Sequence, residues 1–116
     1  MILVDSSVWV DHFRRHDEQL GRLLAQAQVL IHPWIIGELA LGHLSSRATK
    51  LGLLSNLPAA PVADPAEVLL VIERHGLAGR GVGYVDVQLL AAARLAGVGL
   101  LTRDKRLATV AAEVLH

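Results

Sequence analysis

The sequence predicts an α/β fold built on a mainly parallel sheet, and three observations carry that expectation. Short uncharged apolar runs occur at Ile2–Val4 and at residues 29–32 and 99–102, too brief for helices and rich in Val, Ile and Leu. Between them lie longer stretches whose apolar residues recur three and four positions apart. Those stretches begin and end on helix-capping residues, and strands that alternate with helices pair in parallel, with helices on both faces.

The elements follow in order. After the first strand, Ser6 or Ser7 caps a helix reaching Phe13, and "DEQLGRLLAQA" from Asp17 sets Leu20, Leu23, Leu24 and Ala27 along one face. The second strand leads to Pro33, which suits the first position of a helix running to about Leu44. A short helix spans Arg47–Ser55, "NLPAAP" breaks it, and residues 61–63 form a weak strand candidate. In "DPAEVLLVIERHG", Asp64 caps, Pro65 takes the first position, Glu67 completes a capping box and Gly76 ends the helix. The loop "LAGRGVG" feeds a helix over Tyr84–Ala96 stopped by Gly97, a strand at 99–102 follows, and a last helix starts at Asp104.

At 116 residues the chain is expected to form one domain, residues 1–116. It has no cysteine, which excludes disulfides, thiolate metal sites and a cysteine nucleophile and fits a reducing cytoplasm. Its apolar stretches are interrupted, as by His32, Pro33 and Glu38, before they reach membrane-spanning length, and Asp5 follows too soon for a signal peptide. A net charge of zero argues at first against a polyanionic partner. If four acids gather at one metal site, however, the remaining acids are outnumbered by the eleven Lys and Arg.

Ligands of parallel sheets collect beyond the carboxyl ends of the strands, and both Asp5 and Asp104 fall there. Glu38, in "WIIGELALG", has Trp34, Ile35, Leu41 and Gly42 as helical neighbours, so its carboxylate is expected on an apolar face. Asp86 opens an otherwise apolar helix. Each aspartate has a plain alternative role as a helix cap or as a complement to a helix N-terminus, but Glu38 sits in mid-helix. Four acids at one sheet edge repel one another unless a hard divalent cation joins them, and such a site supports phosphoryl transfer.

Together "VDSSVWVDHFR", "HPWIIGELALGHL", "GVGYVDVQLLAAARLAG" and "LLTRDKRLATVA" resemble the PIN-domain ribonucleases, specifically the VapC-type toxins of toxin–antitoxin pairs, over nearly the whole chain. The resemblance implies a three-layer α/β/α fold with a central, mainly parallel sheet of four to five strands. It implies an Mg2+- or Mn2+-dependent endoribonuclease leaving a 5′-phosphate and a 3′-hydroxyl. Asp5, Glu38, Asp86 and Asp104 take the catalytic positions, with Asp5, Asp86 and Asp104 as metal ligands and Ser6, Ser7 and Thr102 as supporting hydroxyls. It further implies a VapB-like antitoxin, a homodimer, and operator DNA reached only through the antitoxin. Ser6 stands where threonine is frequent, a change that keeps the hydroxyl. The end at Leu115 and His116 leads us to expect a vestigial last strand.

Other readings fit less well. A receiver domain needs an acidic pair beside the first strand, and a haloacid-dehalogenase-type phosphatase needs an aspartate where Ser7 stands. A catalytically silent PIN-fold module that binds RNA or protein is the alternative from another class, expected to lack one or more of the acids. The six histidines show no paired ligand spacing, with His32 and His43 read as polar edges of packed helices. "GRGVG" has no strand before it and is read as a close backbone passage beside Asp86, not a dinucleotide loop. Arg14, Arg15, Arg103, Lys105 and Arg106 are the candidate phosphate contacts.

Overall fold

A computed structural model describes residues 1–115. Its elements are β1 (Ile2–Val4), α1 (Ser6–Arg14), α2 (Glu18–Ala25), β2 (Val29–Leu30), α3 (Pro33–Leu41) and α4 (Arg47–Ser55). They continue as α5 (Pro65–His75), α6 (Tyr84–Ala96), β3 (Gly99–Leu101) and α7 (Lys105–Val114). The three strands are parallel in the order β2-β1-β3, with Ile2 opposite both Val29 and Gly99 and Leu3 opposite Leu30 and Leu100. β1 is central, and Leu3 and Val4 are fully buried, as a strand covered on both faces requires.

The sheet has three strands where four to five were expected. The weak candidate at 61–63 is not a strand; pairing beyond β2 reduces to one parallel bridge between Ile31 and Ala59. The reason is local chemistry. Pro61 has no N–H to give a ladder, and the side chain of buried Gln88 replaces one at Ala63, its carboxamide accepting from the Ala63 N–H at 3.1 Å and donating to the Ala63 carbonyl at 3.0 Å. Among the described residues no strand follows β3; His116, named in the expectation of a vestigial strand, lies outside them.

Two apolar clusters form the core. One joins the sheet to α1, α2, α3 and α4 through Val8, Trp9, Leu20, Ile35, Leu39 and Leu54. The other binds α5 and α7 to α6 through Val68, Val71, Leu107 and Val110. Helix α6 serves both, Leu89 facing the first and Leu90 the second, and both are fully buried. Truncating either to Ala removes about 2–5 kcal/mol, a large part of the 5–15 kcal/mol typical of a domain. That rigidity fixes the N-terminus of α6, where Asp86 sits. Among the described residues no helix is long and apolar enough to cross a membrane.

Most helix boundaries agree with the local signals, including the complete Asp64–Glu67 capping box with Pro65. Two differ. The residue before α1 that caps it is Asp5, not Ser6 or Ser7, because Asp5 still has extended backbone and its Oδ1 accepts from the Ser6 N–H. Helix α3 ends at Leu41, where Gly42 turns to extended backbone, short of Leu44.

Candidate active site

All three strands point their carboxyl ends at one edge, so β1 delivers Asp5 and β3 delivers Thr102 and Asp104 side by side. The Asp5 N–H donates to the Leu101 carbonyl at 2.9 Å, which extends the β1–β3 ladder to the first acid. Asp5 is only 7% exposed, and the protein supplies it with donors. Its Oδ1 accepts from the Ser6 N–H at 2.8 Å, and its Oδ2 from the Ser7 hydroxyl at 2.9 Å and the Thr102 hydroxyl at 2.7 Å. Those hydroxyls are themselves fixed: the Arg103 N–H donates to Ser7 Oγ at 3.0 Å and the Asp104 N–H to Thr102 Oγ1 at 3.1 Å. A carboxylate held by these three donors sits at one geometry.

Asp104 caps α7, its Oδ1 accepting from the N–H groups of Arg106 at 2.9 Å and Leu107 at 3.1 Å, which leaves Oδ2 facing solvent chemistry. Asp86 occupies the first turn of α6, with Oδ2 accepting from the Gly83 N–H at 2.9 Å. Capping and clustering are therefore not alternatives. Asp86 and Asp104 each satisfy a helix end with one oxygen and keep the other.

Glu38 reaches the same place from α3. It is exposed, not laid against an apolar face as its neighbours suggested, because its flank of α3 opens onto the cleft beside α1. Its proton affinity is raised above that of an ordinary glutamate, first by partial desolvation, then by the charge of Asp5, with a smaller push from Asp86 and an opposing pull from the Ser6 hydroxyl. Half-buried Asp86 is raised likewise, by desolvation first and then by Asp5 and Asp104, against the Gly83 hydrogen bond. Glu38 thus feels Asp5 and Asp86, and Asp86 feels Asp5 and Asp104, as neighbouring like charges do. Among the described residues the ion pairs are Arg80 with Glu113 and Arg103 with Asp11 and Asp17, and none of them reaches the four.

The donors are all hard oxygens, which suits a divalent cation, while no three His, Asp or Glu side chains among the described residues close into a finished metal cage.

The predicted phosphate contacts separate. Arg14 lines a cavity of about 550 Å³ with Ser6, Glu38, His43 and Lys50, and also borders a second one with Arg15. Arg15 lies with Asp11, His16, Asp17 and Glu18, beyond the end of α1. Arg103 is committed elsewhere, donating to Asp17 at 2.5 Å and to Gln19 at 3.3 Å. Lys105 is exposed at the start of α7. The glycine loop passes close to both Asp86, through the Gly83 N–H at 2.9 Å, and Arg106, where a Cβ on Gly81 (φ +80°) would come within 2.9 Å of the guanidinium. His32, read as a polar edge, is fully buried and caps α3, Nδ1 accepting from the Trp34 N–H at 3.1 Å. The signal that finds it is its place directly before Pro33 at a helix start.

The model of the PIN domain family matches residues 2–113. The chain belongs to that family. Within it, this PIN domain is of the VapC type: it is 47% identical over 114 residues to Ribonuclease VapC32 of Mycobacterium tuberculosis, a match covering 97% of this chain and 92% of that protein. Two solved structures share the fold. FitAB bound to a DNA fragment superposes with a TM-score of 0.69 at 18% identity, over 97% of this PIN domain and 91% of that chain. FitAcB from Neisseria gonorrhoeae gives a TM-score of 0.69 at 19% identity, over 97% and 94%.

Proposed function

We propose that this PIN domain is a metal-dependent endoribonuclease, the toxin of a toxin–antitoxin pair, with Asp5, Glu38, Asp86 and Asp104 as its site. The observation that carries the reading is geometric: Asp5 and Asp104 follow the carboxyl ends of the adjacent parallel strands β1 and β3, Asp86 opens α6 and Glu38 comes from α3 close enough to feel their charge, while no Lys or Arg among the described residues pairs with any of the four. The donors on Asp5, Asp86 and Asp104 are neutral N–H and hydroxyl groups, and no cation among the described residues offsets the charge of the set. The name of its VapC32 relative supports RNA as the substrate.

Asp5, Asp86 and Asp104 would hold Mg2+ or Mn2+, which when bound makes a water more acidic and offsets charge on the attacked phosphate. The residues divide the remaining work. Asp5, fixed through Ser7 and Thr102, sets the position against which the other oxygens are arranged. Glu38 is solvent-facing and inclined to take a proton, so it accepts one from the water that attacks phosphorus. The P–O3′ bond breaks and the departing 3′-oxygen takes a proton from solvent water, while Glu38 later returns its proton to solvent, giving a 5′-phosphate and a 3′-hydroxyl. The Asp86 oxygen not used by Gly83 and the Asp104 Oδ2 carry no protein donor and would be the ones available to hold such a cation.

The cognate partner is a VapB-like antitoxin that covers the acids, with an Arg or Lys standing in for the cation. FitAB, the fold relative, was solved bound to DNA; for this chain operator DNA is reached through the antitoxin, and the toxin itself forms a homodimer. The test is cleavage of single-stranded RNA by the purified chain in Mg2+ or Mn2+, with and without excess EDTA. Cleavage that stops on chelation supports the mechanism, and activity undiminished by EDTA removes it.

A further inference from the structure

The chain has only two Trp, one Tyr and one Phe, and the fold divides them. Trp9 is 3% exposed and packs against Phe13 with ring centroids 5.7 Å apart, as core aromatics do. Trp34 and Tyr84 are 37% and 49% exposed, yet their centroids lie 6.3 Å apart with planes inclined by 39°. Two aromatics left in water but against each other need an explanation other than core packing.

Their location is specific. Trp34 lies on α3 one turn before Glu38, and Tyr84 opens α6 two residues before Asp86. The aromatic pair therefore bridges the same two helices that the Glu38–Asp86 interaction bridges, offset along α3 by one helical turn, roughly 5.4 Å. The mount is stiff. Pro33 and the buried His32 cap fix the Trp34 backbone, and the His32 ring meets the indole edge-on at 6.4 Å and 84°. Tyr84 is carried by α6, whose start is tied by the Gly83 to Asp86 hydrogen bond.

We propose that Trp34 and Tyr84 form a stacking platform for an unpaired base of an RNA strand whose neighbouring phosphate lies at the carboxylates. This rests on the ribonuclease reading above. An acidic site repels a polyanion, so affinity has to come in part from contacts that carry no charge. Base-on-aromatic stacking is such a contact, and it tolerates any base because each has a π-face. One helical turn is of the order of the reach from a phosphate across its ribose to the base. A duplex keeps its bases stacked internally, so the platform makes the site selective for single strands.

The experiment measures binding of a short mixed-sequence RNA, single-stranded and annealed as a duplex, with calcium in place of the cleaving ion, together with steady-state cleavage in Mn2+. Trp34→Ala is expected to weaken single-strand binding about tenfold or more and to raise KM with little change in kcat. Trp34→Phe should recover most of the loss, and Tyr84→Ala should follow Trp34→Ala. In the wild type, which needs no variant to fold, single-stranded RNA should quench tryptophan emission and the duplex should not. Unaltered affinity and KM in both alanine variants, or no quenching by RNA that does bind, overturns the platform while leaving the ribonuclease reading intact. A wild type that neither binds nor cuts RNA overturns both. A Trp34→Ala protein that changes from dimer to monomer with RNA affinity retained assigns the pair to contact between copies and overturns the platform.

Discussion

Asp5 and Asp86 are the same residue type at the same sheet edge, and the protein treats them in opposite ways. Asp5 is the more buried, yet it is surrounded by donors: the Ser6 N–H and the hydroxyls of Ser7 and Thr102. Asp86 has the Gly83 N–H on one oxygen, and desolvation together with Asp5 and Asp104 raises its proton affinity. Glu38 stands with Asp86 in this respect. The difference teaches that burial alone does not make a carboxylate reactive; the balance of donors against like charges does. One side of the site is a fixed support, and the other is short of positive charge.

The strongest way to break this comparison is to neutralise the strained side. Asp86→Asn keeps an oxygen for the Gly83 N–H and removes a charge. We expect cleavage to fall by about 10²-fold or more, as for loss of a group stabilising the transition state, while the metal-free melting temperature stays level or rises. Stabilisation by added Mn2+ should shrink in parallel. A less stable but fully active Asp86→Asn protein, seen in paired melting and cleavage assays, removes that residue from the site.

The fixed side should respond with the opposite sign. Asp5→Ala strips the acceptor from a backbone N–H and two hydroxyls, so metal-free stability should drop by about 1–3 kcal/mol. Denaturant unfolding measures it, and an unchanged midpoint would mean that the donors around Asp5 do not support the fold. Thr102→Val is the milder version. It deletes one donor to Asp5 and the acceptor of the Asp104 N–H, and a loss of about 1 kcal/mol is expected by the same measurement.

The smallest effect is in the pH dependence. Glu38 and Asp86 have folded-state proton affinities above their unfolded values, so the stability they contribute is complete below the ordinary carboxylate range and is lost as pH rises through the raised values. Asp17 and Glu113 are lowered, by the Leu20 N–H and by Arg80 respectively, and act in reverse: their contribution is present above the ordinary range and lost on acidification. The wild-type melting curve mixes the two. Subtracting the curve of a Glu38→Gln/Asp86→Asn double variant isolates the first pair, and the metal-free difference should favour the wild type more at acid than at neutral pH. A flat difference would show that the two carboxyls feel no net strain.

By itself the sequence determined the helices with strong local signals, such as Asp64-Pro65 with Glu67, and the core of β1 and β3, because capping and short-range periodicity act within a few residues. It also singled out Asp5, Glu38, Asp86 and Asp104 as candidates, since strand ends and a mid-helix glutamate can be read from pattern. What it left to the tertiary structure were pairings between distant residues. Ser6 and Ser7 support Asp5 locally, but its third donor, the Thr102 hydroxyl, comes from 97 positions away and only the tertiary structure delivers it. Gln88 reaches Ala63 and turns a candidate strand into a side-chain-bonded segment. Arg103 goes to Asp17, while Arg14 faces the acids' cleft. Trp34 and Tyr84 are unremarkable fifty residues apart in the chain and become neighbours because α3 and α6 start at the same sheet edge. Local chemistry specifies where an element starts and stops, whereas the number of donors around a charge depends on which elements the packed core brings together.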